Sequence, residues 1–175
     1  MKSLDVANIL IAKYGDEFSI TNLSLNKLVY LAQVEALKAD PSKPLFDDAI
    51  QAWDYGPVEP AVYHEFKDYR RARIPSSAAS APEAVASSDE VAIIDLTAGK
   101  YGFLTAFDLV DLTHREGGAW HNKYVRGRHN VEITASDILD SDDVKVEFDL
   151  SKTLAAGILG VKEDWPNAIR LLEDA

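Results

Sequence analysis

Apolar residues recur at helical spacing through the first part of the chain. Leu4, Ala7, Ile11 and Tyr14 share one face, widened by Val6, Ile9 and Leu10. Ser3 is placed to cap this helix, Asp5 suits its first turn and Gly15 its end. A second helix is clearer. Leu25, Leu28, Val29, Ala32 and Ala36 follow the i, i+3, i+4, i+7 rule, and Leu31, Val34 and Leu37 carry the apolar surface further round. A helix apolar on most sides belongs at the centre of a fold. Pro41 ends it.

Residues 42–56 read as a loop with a short extended piece around Asp47 to Trp53. Pro60, preceded by Glu59, opens a third helix with Val62, Phe66 and Tyr69 on one face. Residues 75–88 are rich in Ala and Ser and poor in bulky apolar side chains, so a mobile insertion is expected there. A fourth helix, capped by Ser88 or Asp89, runs to Tyr101 and stops at Gly102. Thr105 with Asp108 forms a capping box for a fifth, with Ala106, Leu109, Val110 and Thr113 inward. Gly117-Gly118 breaks it, and Thr134 with Asp137 starts a short helix ending at Leu139. Beyond it, Val144, Val146 and Phe148 alternate with charged residues, a strand pattern. Two short helical pieces follow, Leu154 to Leu159 and Pro166 to Leu172, separated by Gly160. The pattern predicts a mainly α, compact multi-helix domain with a short β element over residues 1 to about 140. A small C-terminal α/β appendage occupies 141–175. The tail helices are too short to be stable alone and must dock on the domain, on a second copy or on a partner.

Composition narrows the function classes. The chain has 175 residues, enough for one domain with a sizeable core. No apolar run approaches the roughly 20 residues that cross a bilayer. Asp5 and Asn8 interrupt the start where a secretory signal is apolar, so a soluble, cytoplasmic protein is expected. Zero cysteines exclude disulfides, thiol catalysis and thiolate metal sites. The net charge of −11 disfavours nucleic acid, which is held through phosphate neutralisation, and favours association with a basic protein.

The densest local pattern is Ala52-Trp53-Asp54-Tyr55-Gly56-Pro57-Val58, with a Gly-Pro pair suited to a tight chain reversal. Before it come Lys27-Leu28-Val29-Tyr30 and Pro44-Leu45-Phe46. After it come Pro60-Ala61-Val62-Tyr63, then Leu112-Thr113-His114-Arg115-Glu116 and Trp120. This ordered series resembles the SocA-like antitoxin domain, also called the Panacea domain, of bacterial and phage toxin–antitoxin systems. The resemblance covers most of residues 1 to about 140. It implies an antitoxin that neutralises a cognate toxin, encoded by a neighbouring gene, by direct contact rather than chemistry. It also allows a proteolytic adaptor that delivers the toxin to a protease, or a DNA-binding autorepressor. The 75–88 insertion and the 141–175 tail depart from the family pattern and are where partner-specific contacts are expected.

The candidate partner-binding or motif residues are Lys27, Tyr30, Trp53, Tyr55, Gly56, Pro57, Val58, Tyr63, His114 and Trp120. Each has a structural alternative. Trp53 and Tyr55 either pack a corner or anchor a partner. Lys27 and Tyr30 share a helix face, where the lysine stem packs and its ammonium is expected to meet a carboxylate such as Asp54. His114, His121 and His129 with Glu116 suggest a metal, but their spacing of seven and eight residues lacks the i, i+4 pairing of a helical site. His114 suits a hydrogen-bonded position at a helix end. Lys123, Arg126, Arg128 and His129, with Arg70, Arg71 and Arg73, read as a solvated face or as ion pairs. No phosphate loop, nucleophile elbow or zinc-peptidase motif is present, and the acid pairs Asp47-Asp48 and Asp142-Asp143 are ordinary loop features. No catalytic residue, cofactor or metal is therefore expected.

Overall fold

A computed structural model describes residues 1–82, 85–128 and 130–164, with the backbone alone at 160–164. The helix around which it is built, α2 (Asn22–Ala39), is buried at nearly every position from Asn22 to Leu37. Thr21 caps it by accepting a hydrogen bond from the Ser24 amide, while Ser24 Oγ accepts from the Thr21 amide. α1 (Ser3–Tyr14), α3 (Pro60–Phe66), α4 (Ser88–Tyr101) and α5 (Ala106–His114) pack around it. α6 (Ala119–Lys123), α7 (Ala135–Asp140) and α8 (Asp142–Lys145) close the far end, and α9 (Leu154–Asp164) follows. The fold is mainly α with a small β element, as the pattern of apolar and polar positions predicts.

That element is a three-stranded antiparallel sheet in the order β2-β1-β3, formed by β1 (Ile50–Trp53), β2 (Gly56–Val58) and β3 (Glu132–Ile133). Trp53 pairs with Gly56, so Asp54 and Tyr55 form the tip of the hairpin. The chain reversal therefore lies one step before the Gly-Pro pair, and Gly56 and Pro57 belong to β2.

Local signals explain most boundaries. Glu59 accepts hydrogen bonds from the Ala61 and Val62 amides at the start of α3, where Pro60 has no N–H to satisfy. Ser87, one residue earlier than expected, caps α4 in a box with Glu90. Ser3 is the first helical residue rather than the cap, which falls on Lys2. Gly15 and Gly102 end their helices in right-handed conformation. They are small for packing reasons: a Cβ would press on Ile11 O at Gly15 and on the Phe18 ring at Gly102.

The region after residue 140 differs from the expected strand. Val144 lies in α8, and Val146 and Phe148 lie in non-repetitive chain. Among the described residues no strand pairs with this segment, and Ser141 starts a helix by accepting from the Asp143 amide. α9 is also continuous through Gly160. Asp108, already boxed with Thr105, accepts from the amides of Leu154 and Ala155 and so caps α9 from α5. The expected helix over 166–172 lies outside the described residues. Within 75–88, a 3-10 turn at Ser76–Ala78 rests on α1, with Ser76 Oγ donating to Asp16 and the Ser80 amide to Asn8. Residues 83 and 84 of that segment lie outside the description.

Candidate functional site

The motif residues scattered over the sequence meet beside the β1–β2 hairpin. Lys27 projects from α2 and is fully buried, 0% exposed. Its ammonium donates to the Pro57 carbonyl at 3.0 Å and meets no carboxylate. This corrects the expected pairing with Asp54, whose Oδ1 instead accepts from the Tyr124 hydroxyl at 2.8 Å. Burial opposes the charged form and pushes the Lys27 pKa down to about 7. A side chain that would be a fully charged, strongly hydrated cation on the surface therefore gives up its proton far more readily here.

Gly56 makes that burial possible. Its φ of +103° is a conformation open mainly to glycine. A Cβ there would lie 2.7 Å from Lys27 Nζ and 3.0 Å from His114 Nε2. The glycine thus lets β2 lie directly against two side chains from two different helices.

His114 ends α5 and hydrogen-bonds the Tyr55 backbone. Its Nε2 is buried without a hydrogen-bond partner. Burial, reinforced by the neighbouring Lys27 charge, lowers its pKa and so favours the neutral ring. The ring lies 3.6 Å from that of Trp120 with an interplanar angle of 9°, and Trp120 also stacks with Tyr124 at 4.6 Å. The Trp120 indole N–H donates to the Trp53 carbonyl at 2.8 Å, fixing the stack to β1. Among the described residues no three His, Asp or Glu side chains converge as a metal site requires, and His129 lies outside them.

A second buried network lies one helical turn further along α2. The Tyr30 hydroxyl donates to Asp143 Oδ2 at 2.6 Å. The same carboxylate accepts from Arg115 Nε at 3.2 Å and from the Ala119 amide at 2.8 Å. Arg115 also donates to the carbonyls of Asp142 and Val146. Burial first, then the Asp143 charge and hydrogen bond, raise the Tyr30 pKa well above the usual phenol value. Asp143 therefore ties α8 to α2, α5 and α6. Nothing near Asp143 in the sequence marks it, since every partner but the local cap is distant in the chain.

The outer side of the hairpin is open. Tyr55 at its tip is 71% exposed. Trp53 is half-buried, with its ring edge-on to Tyr63 at 4.9 Å and its indole N–H donating to Gln51. Both rings line a groove of about 600 Å³. The predicted motif thus has two sides. Lys27, Tyr30, Gly56, Pro57 and Trp120 face the interior, with the half-buried His114 beside them, and buried Val58 also lines the groove. Trp53, Tyr55 and Tyr63 border the groove. Lys27 does not line the groove, so its lowered pKa is not offered to a ligand there.

Fold and site together define a small, mainly helical domain whose signature residues form a dry polar core under an aromatic hairpin. Residues 25–121 match the family model of the antitoxin SocA-like, Panacea domain, and the chain belongs to that family. Among curated proteins it is similar to "Antitoxin SocA" of Caulobacter vibrioides (strain NA1000 / CB15N), with 31% identity over 128 residues. That alignment covers 66% of this chain and 66% of the relative. No solved structure matches significantly. Among the described residues no helix is long and apolar enough to cross a membrane.

Proposed function

We propose that the chain is an antitoxin that neutralises a cognate protein toxin by direct binding, in the cytoplasm and without chemistry. The observation that carries this reading is membership of the SocA-like family, reinforced by the similarity to a protein named as an antitoxin. The arrangement of the motif supports a binding role. The two side chains with the most chemical promise, Lys27 and His114, serve the interior: one is fully buried and the other is stacked under Trp120. What the hairpin presents outward is aromatic surface suited to anchoring a protein. The net charge of −11 would steer a basic partner toward it. In this reading residues 1 to about 140 are the shared neutralising core, and 75–88 and 141–175 adapt it to one toxin.

Expressing the neighbouring gene under tight control, with and without this chain, tests the proposal. Growth arrest by the neighbour, rescue by this chain and a stable complex are the expected result. Rescue that depends on a protease, or on operator binding without a complex, would transfer the reading to an adaptor or an autorepressor. A harmless neighbour that does not co-purify would overturn it.

A further inference from the structure

The groove beside Trp53 has a charge opposite to that of the molecule. Lys67, Arg70 and Arg71, just after α3, line it together with Arg128 from the loop before β3. Two basic runs more than fifty positions apart in the sequence therefore meet across one depression. A single carboxylate, Asp54, lies among the lining residues, and it already accepts from Tyr124. Elsewhere several cations find acids, Lys13 with Asp95, Arg73 with Asp16 and Lys123 with Asp137, while exposed Lys43 and Arg126 stand singly without an ion pair among the described residues; only at the groove do four such cations gather. Among the described residues none of the four groove cations has a carboxylate within 4.0 Å. On a chain with 29 acidic residues, four unneutralised cations around one groove require that acids be kept away from it.

The backbone supplies an independent sign. Among the described residues, the two non-glycine positions with positive φ are Arg70 at 52° and Asn130 at 59°. Both line this groove. Arg70, with ψ of −109°, lies outside the left-handed basin that asparagine tolerates. Strained backbone of this kind concentrates where side chains are held for a ligand. Trp53 and Tyr63, packed edge-on, and Tyr55 line the same groove.

From this geometry we infer that the groove docks a short acidic segment of the partner protein, carrying carboxylates for the arginines and an apolar or aromatic residue for the Trp53–Tyr63 pair. The inference rests on the partner-binding reading above and specifies which surface is used and what it recognises. A groove of about 600 Å³ accommodates a few residues, not a long polymer. A nucleic acid leaving either end would run over a surface whose net charge is −11, whereas a local acidic stretch on an otherwise basic protein would not. The net charge then speeds encounter, and the groove sets register.

The test uses the full chain and the variant Arg71→Glu/Arg128→Glu, both residues being exposed, with Lys43→Glu as an exposed control outside the groove. Each is titrated with the neighbouring gene's product and with three labelled probes. The probes are a ten-residue Asp/Glu peptide around one Trp, the same peptide with Asn/Gln, and a thymidine decanucleotide. The acidic peptide is expected to bind at least about tenfold tighter than its amide counterpart and to weaken as salt rises from about 50 to about 300 mM. The double variant is expected to lose about tenfold or more for both the acidic peptide and the protein partner, and Lys43→Glu to lose nothing. Equal binding of the acidic and amide peptides overturns the inference, as does tighter binding of the oligonucleotide. If the wild-type chain binds its neighbour and the double variant binds equally well, the groove is not the docking surface, although the antitoxin reading stands. If the wild-type chain does not bind the neighbour at all, that reading falls, and the peptide comparison alone decides the groove.

Discussion

The two sides of the β1–β2 hairpin solve opposite problems with neighbouring residues. On the inner side, Lys27, Gly56, Pro57, His114 and Trp120 pack against one another, with Lys27 donating to the Pro57 carbonyl and His114 Nε2 left without a partner. On the outer side, Tyr55, Arg70, Arg71 and Arg128 are left in solvent without acidic partners. Burial inside pushes the lysine toward its neutral form, while the outer basic side chains stand in solvent. The contrast shows that a family signature need not be a contact surface. In this chain most of it lies in the interior, beneath the exposed aromatic tip of the hairpin.

The comparison breaks most severely at Asp143, the inner residue with the most partners. Asp143→Ala would strand the Tyr30 hydroxyl, Arg115 and the Ala119 amide together. Removing one partner from such a buried charged network costs about 3–5 kcal/mol, read by chemical denaturation. A loss below about 1 kcal/mol would show that the network contributes little to the inner packing. Gly56→Ala comes next, at about 3 kcal/mol, because it adds strain at φ +103° to contacts with Lys27 and His114. Gly127→Ala is its control: φ there is +79° but nothing lies within 4 Å of a Cβ. That substitution should cost only about 1 kcal/mol. Equal losses at the two glycines would mean that the close approach of β2 to Lys27 is unimportant.

How much of this was legible beforehand follows the range of each interaction. Helix starts governed by a side chain three residues away, such as Thr105 with Asp108 or Thr134 with Asp137, are readable from sequence alone. The apolar surround of α2 likewise announces a central helix. The residues of the ordered motif lie far apart in the chain, and the structure brings nearly all of them to one hairpin. What the sequence hid was long-range. Lys27 takes a carbonyl rather than Asp54, Asp143 looks like any loop acid, and the alternating 144–148 segment lacks a neighbouring strand edge. The basic groove was hidden for the same reason, since Lys67 to Arg71 and Arg128 look like separate solvated runs until the fold juxtaposes them.

Lys27 offers a gentler probe of the inner side. Its pKa falls from 10.5 to about 7 on folding, so between these values the unfolded chain binds more protons than the folded one. Stability must therefore rise with pH through that window, and the penalty of charging Lys27 is fully felt below about pH 7. The rise measured by denaturation between about pH 7 and 9.5 should be on the order of 3 kcal/mol. Above about pH 10 the raised pKa values of Tyr14, Tyr30 and Tyr101 work in the opposite direction, which sets the upper limit of the measurement. In Lys27→Met this rise should disappear. A wild-type stability that is flat over the same range would mean that Lys27 keeps its charge and that water reaches it.

The smallest effect on folding should accompany the largest on binding, at Tyr55. The side chain is 71% exposed at the hairpin tip, and its backbone, not its ring, bonds to His114. Tyr55→Ala should therefore change stability by less than about 0.5 kcal/mol. If the outer side of the hairpin is the docking surface, the same substitution should weaken the complex with the neighbouring gene's product by about tenfold or more, as loss of an aromatic anchor does. Titration calorimetry alongside denaturation separates the two effects. Unchanged affinity would remove Tyr55 from the interface. A loss of affinity matched by a loss of stability would instead make the tip part of the inner packing, and the division between the two sides of the hairpin would no longer hold there.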